Sequence, residues 1–146
     1  MVVIESQLDP ALAALIARLE EYASDESFVM HVYEEGRVPP SPPSSYAVVY
    51  AAHRPDSTAR RAADVTTSTA YRFVVQFVAA LPSDGRWLRS KVFAALVDYT
   101  LNLDDYDFSK LHFEPGAVFE RDNILESFYT ASDMWTCNAT PINQEA

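Results

Sequence analysis

The sequence predicts one α/β domain of the α+β type, with a small, mainly antiparallel or mixed sheet of about four to five strands flanked by two principal helices. Its length of 146 residues suits a single hydrophobic core. Hydrophobic residues make up 49% and aromatic residues 12%, enough for a packed core without disulfides or metal. Runs with strand alternation and runs with helical spacing also follow one another along the chain. We assign residues 1–138 to this domain and residues 139–146 to a short polar tail, which we expect to be loose.

The first helix is predicted close to the amino terminus. Asp9 can cap it and Pro10 suits the first helical position. One apolar stripe follows at helical spacing, formed by Leu12, Leu15, Ile16 and Leu19. Arg18 lies off this stripe and is expected to face water. A short strand is predicted at Phe28–Tyr33, because its side chains alternate between two sides.

The next segments predict a connector, a strand and a loop. Four prolines within Val38–Ser45 predict a stiff, extended connector, with a ligand for a proline-binding domain as the alternative. The nearly all-apolar strand Tyr46–Tyr50 follows and suits the centre of the sheet. The polar segment His53–Thr69 has no sustained apolar period and predicts a long exposed loop, a kind of segment that is often functional. Its candidate partner contacts are Arg54, Arg60 and Arg61.

The clearest strand and helix patterns are neighbours in the sequence. Tyr71–Ala79 alternates strictly and predicts a long strand with one aromatic face. A turn is predicted at Pro82–Gly85, and Trp87–Tyr99 then has the apolar spacing of a helix that packs on this strand. The basic residues of this helix are placed on its surface: Arg86, Arg89 and Lys91.

The last third of the chain predicts an acidic loop and two further strands. The loop Asn102–Asp107 superficially resembles a calcium loop, but it lacks the glycine and the downstream glutamate that such a loop requires. A modest strand is predicted at Lys110–Glu114, and Pro115 and Gly116 interrupt it. The final strand is predicted at Phe128–Cys137.

The sequence predicts no catalytic, metal or cofactor site. The histidines His31, His53 and His112 are scattered without the spacing of metal ligands. Only three glycines occur, so no glycine-rich loop can hold phosphates. Cys137 is expected to be a small buried hydrophobe, and no apolar run is long enough to cross a membrane. We therefore expect a protein that is not an enzyme, has no cofactor and does not insert in a membrane.

Charge is distributed unevenly along the chain. The net charge of −10 argues against a nucleic-acid reader. Residues 1–53 carry −6, residues 54–91 carry +4 and residues 98–146 carry −8. A basic middle between acidic ends is typical of an ordinary solvated surface, and it is also compatible with self-complementary contacts between copies.

One ordered series of segments resembles a known family. Tyr46–Tyr50, Tyr71–Val78 and Trp87–Leu96 are followed by Arg121-Asp122-Asn123 and by the run Phe128–Trp135. Together they resemble the tail-terminator proteins of long-tailed, siphovirus-type bacteriophages, particularly those of actinobacteria. Asn123 and Trp135 replace residues that are usual in that pattern. The motif positions taken as structural are Tyr46, Tyr50, Tyr71, Trp87, Arg121, Asp122, Phe128, Tyr129, Asp133 and Trp135.

The resemblance implies a virion protein that is assembled in the host cytoplasm. It implies a homohexameric ring that caps the tail tube at the tail-neck junction, with the major tail tube protein and a head-tail connector or neck protein as partners. Phage DNA would pass through the channel without specific binding, and we expect Asp104, Asp105 and Asp107 to face that channel. Arg121 and Asp122 are interpreted as a local pair that fixes a turn, with a partner contact as the alternative. Two other functions stay open, a neck or head-completion protein and a small-molecule binding module or enzyme.

Overall fold

The computed structural model describes residues 5–23, 30–55, 69–104, 106–122 and 127–141. These residues form two helices and one mixed sheet of seven strands, which confirms the predicted α+β fold. The helices are α1 (Glu5–Ala23) and α2 (Pro82–Leu96). The strands are β1 (Val32–Glu34), β2 (Ser45–Pro55), β3 (Thr69–Ala79), β4 (Tyr106–Phe108), β5 (His112–Glu114), β6 (Glu120–Arg121) and β7 (Tyr129–Pro141).

The sheet is organised around two long antiparallel pairings. Strand β3 pairs over its whole length with β2 on one side and with β7 on the other. Strand β1 adds to the outer edge of β2 in parallel. The outer edge of β7 is covered in turn by β4, β5 and β6, which are two or three residues long. The sheet therefore has more strands than predicted, because three short segments share one edge of β7.

The two faces of the sheet differ in what covers them. Both helices lie on the face that carries the odd-numbered residues of β3, and we call it the helix-covered face. Four large aromatic side chains of β3 and β7 on this face are at most 1% exposed: Tyr71, Phe73, Phe77 and Trp135. The opposite face, which we call the open face, carries Tyr50, Val74, Gln76 and Met134 in cross-strand rows, and these side chains are only half-buried. Alternation along each strand thus separates a core face from a surface.

Helices α1 and α2 pack on each other as well as on the sheet. The predicted stripe of α1 is largely buried, with Leu15 and Leu19 fully so. The position of Arg18 predicted a side chain in water, and the structure differs. Arg18 is half-buried, its Nε donates to the carbonyl oxygen of Ala95 on α2 at 2.8 Å, and its guanidinium lies over the rings of Tyr22 and Tyr99. The long side chain reaches the unpaired carbonyls at the end of α2, so a cation next to the stripe links the two helices.

The hairpin between β2 and β3 is longer than the sequence predicts. Strand β2 continues to Pro55 and β3 begins at Thr69, so both ends of the predicted loop belong to the sheet. Arg54 therefore lies in a strand, opposite Ala70, and its assignment to a loop was wrong. The pairing with β3 extends β2 through residues whose own composition is polar, because the partner strand satisfies their backbone groups. Arg60 and Arg61 lie outside the described residues.

Other helices and strands also begin or end at residues that differ from the predicted ones. The predicted turn at Pro82–Gly85 is instead the first turn of α2, where Pro82 occupies one of the first helical positions. The carboxyl half of the predicted acidic loop pairs with β7 as β4. Strand β7 continues to Pro141, past the predicted domain end at residue 138, and residues 142–146 lie outside the described part. Phe28 and Val29 of the predicted first strand also lie outside it, and β1 itself is Val32–Glu34.

Candidate assembly surfaces

A salt bridge joins α2 to β7 on the helix-covered face. Arg89 donates from Nε to Oδ2 of Asp133 at 3.0 Å and from Nη2 to Oδ1 at 2.9 Å. The Asp133 side chain is 3% exposed and that of Arg89 is 23% exposed. The two-point geometry suits the planar guanidinium and makes the pair directional as well as strong. Asp133, a motif position in the sequence, thus accepts a cation from α2.

The same pair holds the segment between β5 and β6. Oδ1 of Asp133 also accepts the backbone N–H of Gly116 at 2.8 Å, and Nη2 of Arg89 donates to the carbonyl oxygen of Ala117 at 2.9 Å. Gly116 lies so close to β7 that an added Cβ would be 1.6 Å from the carbonyl oxygen of Ser132. Only glycine permits this approach. The segment is therefore held against β7 while its neighbour Val118 is 72% exposed.

The role of Arg89 was missed, because the sequence analysis placed it on the helix surface. The sequence does contain a signal that Arg89 faces the sheet. Arg89 is four residues after Gly85 and three before Val92, so it belongs to the buried stripe of α2. What the spacing could not supply is its partner, since Asp133 is 44 residues away in the chain.

Trp135 is the centre of an aromatic cluster that joins α2 to β5. Its ring centroid is 4.8 Å from that of Phe113 and 5.9 Å from that of Phe93. Phe93 and Phe113 also meet edge to face, with centroids 5.0 Å apart. The buried Nε1 of Trp135 makes no hydrogen bond within the described residues. Packing and ring contacts therefore hold this motif residue.

Two buried ionisable side chains on the helix-covered face, Cys137 and Tyr71, are kept neutral. Burial raises the pKa of the Cys137 thiol to about 12. Burial, reinforced by the neighbouring Tyr106 and Cys137, raises the pKa of Tyr71 to about 12. A thiol with this pKa is a poor nucleophile at neutral pH, so Cys137 contributes packing rather than reactivity. Within the described residues no group of three or more acidic, histidine or cysteine side chains could hold a metal ion.

The open face is partly closed at one end. There Tyr46, Val48 and Val78 are buried by neighbours that include Val38 of the proline-rich connector and Phe128. Burial also raises the pKa of Tyr46, with a contribution from the adjacent Tyr33. Tyr46 and Phe128 are motif positions, so this end of the face gives them a structural role.

Beyond this end the open face exposes a mixed apolar and polar surface. Tyr50 donates its hydroxyl to Oε1 of Gln76 in the neighbouring row at 3.2 Å, and Val74 and Met134 lie in the same row as Tyr50. All four side chains are half-buried. Aromatic and methionine side chains next to a few hydrogen-bonding groups are characteristic of protein interfaces.

A groove lies at the other end of the open face. It has a volume of about 510 Å³ and is lined mainly by residues of β2, β3 and β7 and of the chain around β5. Arg72, Thr136 and His112 occupy one cross-strand row beside it, and Lys110 also lines it. We call it the basic groove, because its charged lining residues are cationic. The sequence analysis missed this grouping, since these residues come from separate segments.

Helix α2 adds a third exposed surface. Trp87 is 43% exposed, Phe93 40% and Val97 41%. The ammonium of Lys91 lies 5.2 Å from the centre of the Trp87 ring. Trp87, a motif position, is thus displayed on the surface rather than buried with the stripe of the same helix.

The motif residues around β6 form a local hairpin contact. Arg121 is exposed, its guanidinium lies over the ring of Tyr129 at 5.6 Å, and its Nη2 lies 3.4 Å from the Tyr129 hydroxyl. The N–H of Asp122 donates to the carbonyl oxygen of Phe128 at 2.9 Å and continues the hairpin. These contacts are those of a turn-fixing element.

The structure describes two of the three aspartates that were predicted to face the channel. Asp104 is exposed in the turn before β4, and Asp107 is exposed on the open face opposite Thr140. Asp105 lies outside the described residues. Their orientation toward a channel stays a prediction, as does a partner contact by Arg54, which now has a strand position, and by Arg60 and Arg61. No helix in the described part of the chain has the length and apolar character needed to span a membrane.

Comparison with solved structures gives a likeness in fold. No protein-family model matches the chain, and no curated protein matches it either. Among solved structures, the chain is similar to one chain of the virion of a native gene transfer agent particle. The TM-score is 0.68 at 17% identity, over 91% of this chain and 97% of that chain. The two chains share a fold over most of their lengths.

Proposed function

We propose that this protein is a structural component of a phage-like virion that caps the completed tail tube as a hexameric ring. In that position it ends tube polymerisation and offers a tail-side surface for joining to the head. The observation that carries the proposal is the fold likeness to a virion chain, which covers 91% of this chain and 97% of the other. The family resemblance of the motif residues supports the finer assignment to a tail terminator.

The exposed surfaces fit a protein that contacts others on more than one side. The open face and the outer side of α2 lie on different parts of the molecule, and each exposes large apolar side chains. A specific contact needs roughly 1,000 Å² of buried surface, which a domain of this size can supply. Tube growth is an association that does not close on itself, so it continues until a different surface covers the growing end.

The proposed partners are the major tail tube protein on one side and a head-tail connector or neck protein on the other. Phage DNA passes through the ring in this arrangement, and a subunit with a net charge of −10 disfavours its binding. We place the acidic residues Asp104, Asp105 and Asp107 toward this channel. Localisation is the tail-neck junction of the virion, after assembly in the host cytoplasm.

Deleting the gene tests this function. We expect full heads and tail tubes that fail to join, with many tubes longer than normal, in electron micrographs of the lysate. A matched strain with the gene supplied from a plasmid is the control and should restore joined particles. Normal-length tails that stay detached would favour a neck protein, and normal-length tails attached to heads would exclude both assignments.

A further inference from the structure

The basic groove carries positive charge that the described structure does not neutralise. Arg72 and Lys110 are exposed, and neither forms a salt bridge with another described residue. His112 lies in the same row as Arg72, and among the described residues no carboxylate lines the groove. In a chain with a net charge of −10, such a local cationic surface favours an acidic protein segment as its occupant.

A matching acidic segment lies at the opposite edge of the sheet. Glu34 ends β1, the outermost strand of the order β1-β2-β3-β7-β4, and Glu35 follows it in a turn. Both are exposed. The groove residues on β3 and around β5 are two to four strands away from β1, or about 10 to 19 Å across the sheet. Among the described residues, no salt bridge joins the acidic segment to the basic groove within one copy.

The two segments are offset by a few residues along the strands. Glu34 is opposite Val49 on β2, and the groove reaches β2 at Ala52, three residues further along. Three residues of strand correspond to about 10 Å. A second copy related by rotation about an axis along the strands therefore brings its acidic turn to within about 10 Å of the level of the groove.

We infer that the basic groove receives the Glu34-Glu35 turn of a second copy of this chain. The contact joins two different surfaces, so every copy both donates a turn and accepts one. Repeated contacts of this kind form a closed ring when the rotation closes. The inference rests on the proposed ring and names the surfaces that join its subunits.

Two carboxylates on the same face give this contact a preferred position. Asp107 is on β4 and Glu114 is on β5, in rows on the two sides of the row that contains His112. Both are exposed, and neither lines the groove. An acidic turn that binds between Asp107 and Glu114 contacts the cationic side chains of the groove. A turn displaced along the strands in either direction would approach one of these two carboxylates and be repelled. Attraction and repulsion together thus set the register of the two copies.

Charge reversal with rescue tests the contact. The purified full-length chain is studied by sedimentation equilibrium at low ionic strength. We expect R72E/K110E to lower the association constant at least about tenfold, and E34K/E35K to do the same, because each places like charges together. A chain with all four changes restores opposite charges and should recover most of the association. Matched controls with the same changes in net charge are R86E/K91E on α2 and E20K/E21K on α1.

Several results would overturn the inference. They are a wild-type chain that stays monomeric at about 1 mM, control variants that lose association as strongly as the test variants, and a four-residue variant that fails to recover. As a second readout, E35C/K110C should give a ladder of disulfide-linked multimers under mild oxidation, and E20C/K110C should not. Cys137 is buried and stays out of this reaction. The gene deletion is independent of these variants, so over-long tubes together with unaffected R72E/K110E association would reject the groove contact and leave the proposed function standing.

Discussion

The two faces of the sheet are made by alternate residues of the same strands, yet they have different roles. On β3, Phe73 and Val75 point to the helices and are fully buried, while the alternate residues Val74 and Gln76 are half-buried on the open face. The helix-covered face holds the core, the salt bridge from α2 and the aromatic cluster around Trp135. The open face holds a partly apolar surface and the basic groove. The comparison teaches that the side chains that hold the fold together lie on one side of the sheet, and that those of the proposed contact between copies lie on the other.

The largest expected effect comes from the buried carboxylate of Asp133. Asp133→Ala removes the partner of Arg89 and the acceptor of the Gly116 N–H. We expect the free energy of unfolding to fall by about 2–4 kcal/mol, because a buried pair loses one member. The expected loss of stability is smaller than the largest losses seen when a buried ion pair is broken, because Arg89 is 23% exposed and can turn partly toward water. Urea unfolding followed by circular dichroism measures the change.

Glu114→Ala is the matched control, since it removes a carboxylate from the open face of the same sheet. It should change the free energy of unfolding by less than about 0.5 kcal/mol. Equal losses from Asp133→Ala and Glu114→Ala would remove the distinction between the two faces.

A smaller effect is expected from two neighbouring valines. Val75→Ala leaves a cavity in the core and should cost about 2–3 kcal/mol, because Val75 is fully buried under the helices. Val74→Ala makes the same chemical change on the open face and should cost less than about 1 kcal/mol. Both free energies come from urea unfolding. If Val74→Ala were as costly as Val75→Ala, the open face would belong to the core of the subunit.

The smallest expected effect concerns pH. The unfolded chain loses the Cys137 proton near pH 9, whereas the folded chain keeps it until about pH 12. Deprotonation of the thiol therefore favours the unfolded state. The stability that the folded protein has with this thiol protonated is lost as pH rises from about 9 to 12. Between pH 8 and pH 10 we expect this group to lower stability by about 1 kcal/mol. Comparing urea unfolding at the two pH values in wild type and Cys137→Ala isolates the contribution, and an identical pH dependence in both would contradict it.

A thiol on the other face gives the control for this measurement. T136C in a Cys137→Ala background places the sulfur on the open face, one residue away on the same strand. It should be alkylated by iodoacetamide at pH 8 in the folded protein, while Cys137 in wild type should not. Fast alkylation of Cys137 would show that water reaches the helix-covered face.

The periodicity of the sequence predicted the main elements. The alternation in Tyr71–Ala79 and the stripe of Leu88, Val92, Ala95 and Leu96 mark which side chains share a face, because side chains repeat every two residues in a strand and every 3.6 in a helix. That local rule suffices for one α+β domain and for a buried Trp135. It does not suffice for strand ends, and β2 extends to Pro55 only because β3 pairs with it there.

Long-range partners were decided by the tertiary structure alone. Arg89 and Asp133 come together because α2 crosses the helix-covered face over β7, and Arg72, Lys110 and His112 meet because β5 adds to the far edge of β7. The physical reason is that the spacing of apolar residues shows only which side chains within one segment share a face. Which segment lies opposite is settled by the packing of the whole core, so composition and periodic pattern determined the kind of fold, and the sheet order determined where its charges meet.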